Sequence, residues 1–242
     1  MGVPPDLPLP PGQPRPPVND AGRCVRVAAT GLCALAVAGM IAEWLLRDRG
    51  VLRQLTGAAS TAYLMVALAG RTDRHRYQRW IVVALGFCWL GDIIGPKHFL
   101  TGVVMFFVAH LAFVAAFVAG GLHRRRLIVS LAAAAIVGGA STLLIVPHVH
   151  AAQRPFIWTY SVVLTAMLGV AGGTLGAGSR GLVPLAAVLF FISDVYLAQT
   201  AFFGRGVVWT YMGYPIYYTA CLLFAWSVNE RPKANLETTH CG

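Results

Sequence analysis

Eight runs of mainly apolar residues, each close to the length that spans a bilayer, govern what this chain can fold into. They fall at 27–46, 55–70, 79–95, 99–120, 127–146, 156–177, 182–203 and 207–228. A helix needs about 20 such residues to cross roughly 30 Å of hydrocarbon, so each run predicts a membrane helix, the second and third being short. The connecting segments are under ten residues, which makes successive helices antiparallel neighbours. No ten-residue alternating segment is present, and an open sheet edge is not viable in lipid. The expected fold class is all-α, a polytopic membrane helix bundle with about eight transmembrane helices.

Composition excludes the alternatives. The chain is 57% hydrophobic and 12% charged, against about 45–50% and 25% for soluble domains. A net charge of +10 would suggest nucleic acid in a soluble protein. Here the apolar runs between the charges point to membrane lipid, and no nucleic-acid partner is expected. Five cysteines without a C-x-x-C pair do not form a disulfide framework. Residues 1–22 hold eight of the fourteen prolines and read as a disordered tail. The run after Arg23 and Arg26 is too long for a signal-peptide core and has no A-x-A site. Residues 23–230 then form the membrane domain, and 231–242 a short C-terminal tail. Thirteen of the nineteen Lys and Arg residues lie on one side of the eight-span arrangement, with both termini, and six on the other. The positive-inside rule predicts cytoplasmic termini, with His123-Arg124-Arg125-Arg126 as a topology anchor. The Arg-, Ala- and Gly-rich composition hints at a bacterial protein, and so at the plasma membrane.

The informative residues are the ionisable ones within the runs. An Asp at a helix centre costs roughly 2.5–3.5 kcal/mol on insertion scales, so it should face the bundle interior or a wet cavity. Asp92 and Asp194 are the acids well inside a run. Asp92 lies about one turn from the outer end of its helix, and Asp194 roughly 14 Å from its own at 1.5 Å per residue. If their helices adjoin, both carboxylates reach one cavity in the outer half of the membrane. Their bland reading is a pair of Asp side chains that cap broken helices or bond neighbours. Glu43, near the end of the first run, is expected at the interface. His110 sits mid-way along the fourth run, either as an interhelical hydrogen-bond partner or in a site. Ser193 is expected to back-bond to its own helix, since no G-x-S-x-G surrounds it. Tyr211 reads as an interfacial belt residue. Tyr214 and Tyr218 share a helical face, and an Asp would satisfy a buried hydroxyl there.

Other motifs carry less. Gly176-x-Gly178-x-x-Gly181 follows no strand and reads as a loop. Gly91-x-x-x-Gly95 and Gly169-x-x-x-Gly173 read as close helix contacts. His148-x-His150 lacks a nearby Cys or carboxylate to complete a metal site. Cys33, Cys88 and Cys221 read as small buried hydrophobes. Phe87 precedes Asp92 by five residues and Phe190 precedes Asp194 by four, on helices four spans apart. This fits two parallel four-helix halves.

Five short segments in order then resemble the YhhN/lysoplasmalogenase membrane proteins. They are Gly86-Phe87-x-x-x-Gly91-Asp92, Phe107-x-x-His110, Tyr160 followed by Met167, Phe190-x-x-Ser193-Asp194, and Tyr217-Tyr218-x-Ala220. The resemblance covers roughly residues 27–228. Departures are Ala59-Ser60-Thr61 near a usual Lys-Pro pair, Cys221 in place of Gln, and Phe113 in place of Tyr. The resemblance implies hydrolysis of the vinyl ether bond of lysoplasmalogens, giving a fatty aldehyde and glycerophosphocholine or glycerophosphoethanolamine. The expected catalytic residues are then Asp92 and Asp194, with His110, Ser193, Tyr160, Tyr214 and Tyr218 supporting or binding substrate. A vinyl ether is cleaved by protonating its β-carbon, and water attacks the oxocarbenium ion that results. Glycosidases meet a similar ion with two carboxyl groups, so no metal or organic cofactor is expected. The expected partners are a lysophospholipid substrate and membrane lipids. A proton-coupled transporter of a small solute is the rival reading, because two membrane acids and a repeat also suit transport. A metal-dependent hydrolase built on Ser193, Asp194 and histidines ranks last, for want of a paired-His helix motif.

Overall fold

The computed structural model describes residues 20–46, 52–70, 76–176, 181–204 and 206–229. They form eight α-helices: α1 (Asp20–Leu46), α2 (Leu52–Gly70), α3 (Arg76–Ile94), α4 (Phe99–Gly120), α5 (Arg124–Ile145), α6 (Arg154–Gly173), α7 (Leu182–Phe203) and α8 (Gly206–Ser227). Two short 3₁₀ turns at 146–148 and 151–153 link α5 to α6. Asp20, Ala21 and Gly22, which composition assigns to the tail, are the first residues of α1. The rest of that tail and the C-terminal tail lie outside the described residues.

Five of these helices, α1, α4, α5, α6 and α7, are long and apolar enough to cross a membrane. The expectation of eight is thus met by hydropathy for five. α2 and α3 carry Arg and Gln near their starts (Arg53 and Gln54, Arg76, Gln78 and Arg79). They also bury hydroxyls or polar side chains within the bundle, Ser60 on α2 and Gln78 on α3. A helix walled by protein can carry polarity that a lipid-facing helix cannot.

Consecutive helices pair as α1·α2, α3·α4, α5·α6 and α7·α8, as short connections require. The hairpins join through α2·α3, α6·α7, α4·α6 and α2·α8. Counting four helices forward, cyclically, turns each of these contacts into another. The pair α2·α3 becomes α6·α7, and α4·α6 becomes α8·α2. The packing is therefore duplicated in the manner of two parallel four-helix units. Contacts of α1 and α3 with α8, and of α5 with α7, depart from that pattern.

Small residues set the closest approaches. A methyl group added at Gly102 of α4 would stand 2.6 Å from the Gly95 Cα beyond the end of α3. One added at Gly169 of α6 would stand 2.6 Å from the Leu131 side chain of α5. Both glycine pairs thus act as close helix contacts. The core is aromatic. Phe113 of α4 stacks on Phe224 of α8, with centroids 4.2 Å apart, and Phe117 and Phe190 complete the cluster. Cys33, Cys88 and Cys221 are fully buried.

Two ionisable residues of α1 pack against the bundle. Glu43 turns into the bundle. It ends the buried stripe Ala29, Cys33, Ala36, Met40 of α1, at alternating spacings of four and three, and is 5% exposed. Length and charge suggested snorkelling, but helical phase decides which face a residue presents. Arg26 is also buried and lies over the Trp226 ring, 4.1 Å from its centroid. It donates to the carbonyls of Ala225 and Trp226 in the last turn of α8. A cation there satisfies orphan carbonyls and the negative end of the helix dipole. Gln78 bonds the Val228 carbonyl and Tyr77 bonds Ser227, so α1, α3 and α8 are tied together at one end of the bundle.

Candidate functional site

The site is built around two carboxyl groups, each held by an aromatic pair from two other helices. Asp92 of α3 accepts hydrogen bonds at Oδ2 from the hydroxyls of Tyr63 on α2 and Tyr217 on α8, both 3.1 Å long. Those two hydroxyl oxygens are 3.5 Å apart. Asp194 of α7 accepts a 2.7 Å bond at Oδ2 from the Tyr160 hydroxyl on α6. His110 Nε2 on α4 stands 3.4 Å from the same oxygen, within ion-pair range but not aligned as a hydrogen bond. The His110 ring is buried, edge-on to Tyr160 and Phe190 with centroids 5.3 and 5.1 Å away.

The two clusters are equivalent under the same four-helix shift. Asp92 on α3 corresponds to Asp194 on α7, and Tyr63 on α2 to Tyr160 on α6. Tyr217 on α8 corresponds to His110 on α4. One exchange breaks the match, since a phenol faces Asp92 where an imidazole faces Asp194. Both groups can donate and accept a hydrogen bond, but an imidazole can also take up a proton near neutrality, which a phenol cannot. The duplicated frame therefore holds two acids in different surroundings.

The acids share space although α3 and α7 form no principal contact. Both line a chamber of about 300 Å³ bounded by α3, α4, α7, α8 and the start of α2. Gly91, Gly95 and Gly102 line it where α3 meets α4, and Phe99, Val103 and Phe106 of α4 form one side. Beyond that side lies an apolar groove of about 390 Å³ among α4, α5, α6 and α7. Asp194, Leu197 and the three α4 residues line both spaces.

The remaining candidates fall into place unevenly. Ser193 lines the chamber, but its hydroxyl donates to the Phe190 carbonyl of its own helix at 2.7 Å. The Asp partner expected on the Tyr214–Tyr218 face is corrected for Tyr218, whose hydroxyl meets a backbone carbonyl. Tyr218 donates to the Thr56 carbonyl at 3.3 Å, and Tyr214 stacks on Tyr218 at 6.3 Å. Tyr217, on the adjoining face of α8, meets Asp92 instead. Sequence spacing groups side chains by face but leaves open which neighbour each face meets. Tyr217 enters the sequence reading only through a motif, and Tyr63 not at all. The signal of Tyr63 was faint, a tyrosine one turn from Ser60 in an otherwise apolar run.

Away from the site, His148 stacks on Phe203 at 4.1 Å. Gly176 and Gly181 have left-handed backbones, as a loop between helices allows, and residues 177–180 lie outside the described set. So does the Tyr211 side chain.

Fold and site together define a helical membrane protein with paired aspartates in its interior. Residues 52–228 match the YhhN family, and the chain belongs to that family. The match begins at α2, so it contains every residue of the two clusters. No curated relative and no solved structure matches the chain.

Proposed function

We propose that this protein is a membrane-embedded hydrolase that cleaves the vinyl ether bond of lysoplasmalogens. The observation that carries the reading is the pair of carboxyl groups on one chamber, with an apolar groove opening beside them. In the proposed reaction one aspartic acid donates its proton to the β-carbon of the vinyl ether. A C–H bond forms and the positive charge moves to an oxocarbenium ion. Water adds to the carbon bearing oxygen and yields its proton to the second carboxylate. The hemiacetal then returns its hydroxyl proton to the first aspartate. Its bond to the glycerol oxygen breaks as that oxygen takes the proton from the second. One water is consumed, and both aspartates regain their starting states. The products are a fatty aldehyde and a glycerophospho-alcohol. The chemistry asks for one protonated acid and one carboxylate. The unequal surroundings of Asp92 and Asp194 suit that division. All eight helices span the membrane in this reading, with both termini in the cytoplasm.

The test is incubation of detergent-purified protein with choline and ethanolamine lysoplasmalogens, with the aldehyde read by mass. Released aldehyde is the expected result, and its absence with both headgroups overturns the reading. The duplicated helix packing favours a second reading, proton-coupled transport of a small solute. A transporter would release no aldehyde, and would move solute into vesicles only under a proton gradient.

A further inference from the structure

We infer that the apolar groove among α4, α5, α6 and α7 binds the single hydrocarbon chain of an ether lysolipid and places its first carbons against Asp194. This rests on the hydrolase reading and adds the lipid's register. Three observations carry it. The groove is continuous with the chamber, because Phe99, Val103, Phe106, Asp194 and Leu197 belong to both. Its α4 wall includes Leu100 and Val104, which are 60% and 41% exposed, so the groove is open along α4 and a chain can enter it there. The hydroxyl donors of its α5 wall are taken up by their own helix. Ser141 donates to the Val137 carbonyl and Thr142 to the Gly138 carbonyl, and most of the lining is hydrocarbon. A polar solute finds few partners there, whereas a hydrocarbon chain needs none.

The order of atoms in the lipid then sets the register. Chain, β-carbon, α-carbon, ether oxygen and glycerol follow one another. Groove, Asp194 and the Asp92 chamber follow in the same order. Asp194 lies where the β-carbon arrives and is the proton donor. Asp92, held by two phenols on the chamber side, is the carboxylate that serves the cation and water.

The experiment compares long and short alkenyl chains on the purified full-length protein. Ala198→Trp and Ala201→Phe, both on the α7 wall of the groove, narrow it from two positions. Each methylene displaced is worth roughly fourfold in binding, from ~0.8 kcal/mol per CH₂. The ratio of kcat/KM for long over short chains should therefore fall at least tenfold in a variant that stays monodisperse. Ile136→Trp, on the lipid-facing side of α5 and 74% exposed, should leave the ratio unchanged. An equal loss for both chain lengths, or the same shift from Ile136→Trp, overturns the groove.

A second arm does not need turnover. A lysophosphatidylcholine with a photoreactive group at the chain end should label α5–α7 peptides, and Ala198→Trp should abolish that labelling. Labelling confined to lipid-facing positions such as Leu35 overturns the groove. Groove labelling without aldehyde release from the wild type would sink the hydrolase reading and leave the chain site standing. Aldehyde release without groove labelling would do the reverse.

Discussion

The hydroxyl of Tyr63 decides the environment of an acid 29 residues away in the chain. A hydrogen bond to a charged group is worth about 1.5–3 kcal/mol, or about ten- to a hundredfold. Tyr63→Phe and Tyr217→Phe remove one donor each and keep the ring. Each should lower turnover by roughly tenfold or more, and the double variant should depart from additivity because both donors meet one oxygen. Single-turnover rates on purified protein check this, and unchanged rates would remove the phenols from the site. Asp92→Asn and Asp194→Asn keep size and hydrogen bonding but cannot supply a proton. Each should lose about 10²–10⁴-fold, and near wild-type turnover in both would end the two-carboxylate mechanism. His110→Gln should weaken turnover without abolishing it, since His110 reaches the reaction through Asp194.

At the scale of elements, the α3–α4 hairpin fixes where Asp92 sits. Its approach depends on Gly102 meeting Gly95 with no side chain between them. Gly102→Leu forces α4 off the end of α3, and overpacking of this kind costs about 1–3 kcal/mol. The apparent Tm in detergent should drop by several degrees, and turnover should fall with it. Gly139→Leu on α5, where nothing lies within 4 Å, should leave Tm unchanged. Equal effects from the two substitutions would show that close packing at Gly102 is not what matters. The G-x-x-x-G spacing announced such a contact, but not that Gly102 of the following helix would complete it.

For the molecule as a whole, the duplicated contacts make each acid the counterpart of the other. Reaction and orientation in the membrane are then separate questions. Reporter fusions at residue 242 and in the α5–α6 connection near Arg154 should give opposite signals, as the distribution of basic residues requires. Matching signals would contradict eight spans. Turnover should slow clearly in D₂O if proton transfer to carbon limits the rate, and an unchanged rate would place another step in control.

The amino-acid sequence is enough to read off the helices, because the length and spacing of apolar runs leave a chain in lipid no other way to satisfy its backbone. It also singled out Asp92, Asp194 and His110, since a polar group in an apolar run is costly unless it has a partner. What it could not supply was the partner. Tyr63, Tyr160 and Tyr217 look like any aromatic residue in a membrane helix until packing sets their hydroxyls beside a carboxylate. Helical phase alone did not reveal that the Tyr217 face of α8 would meet α3 while Tyr218 met α2. The tertiary structure decided those pairings, the chamber between α3 and α7, and the groove beside it. Each depends on how helices distant in sequence rotate and settle against one another, and local pattern does not encode that.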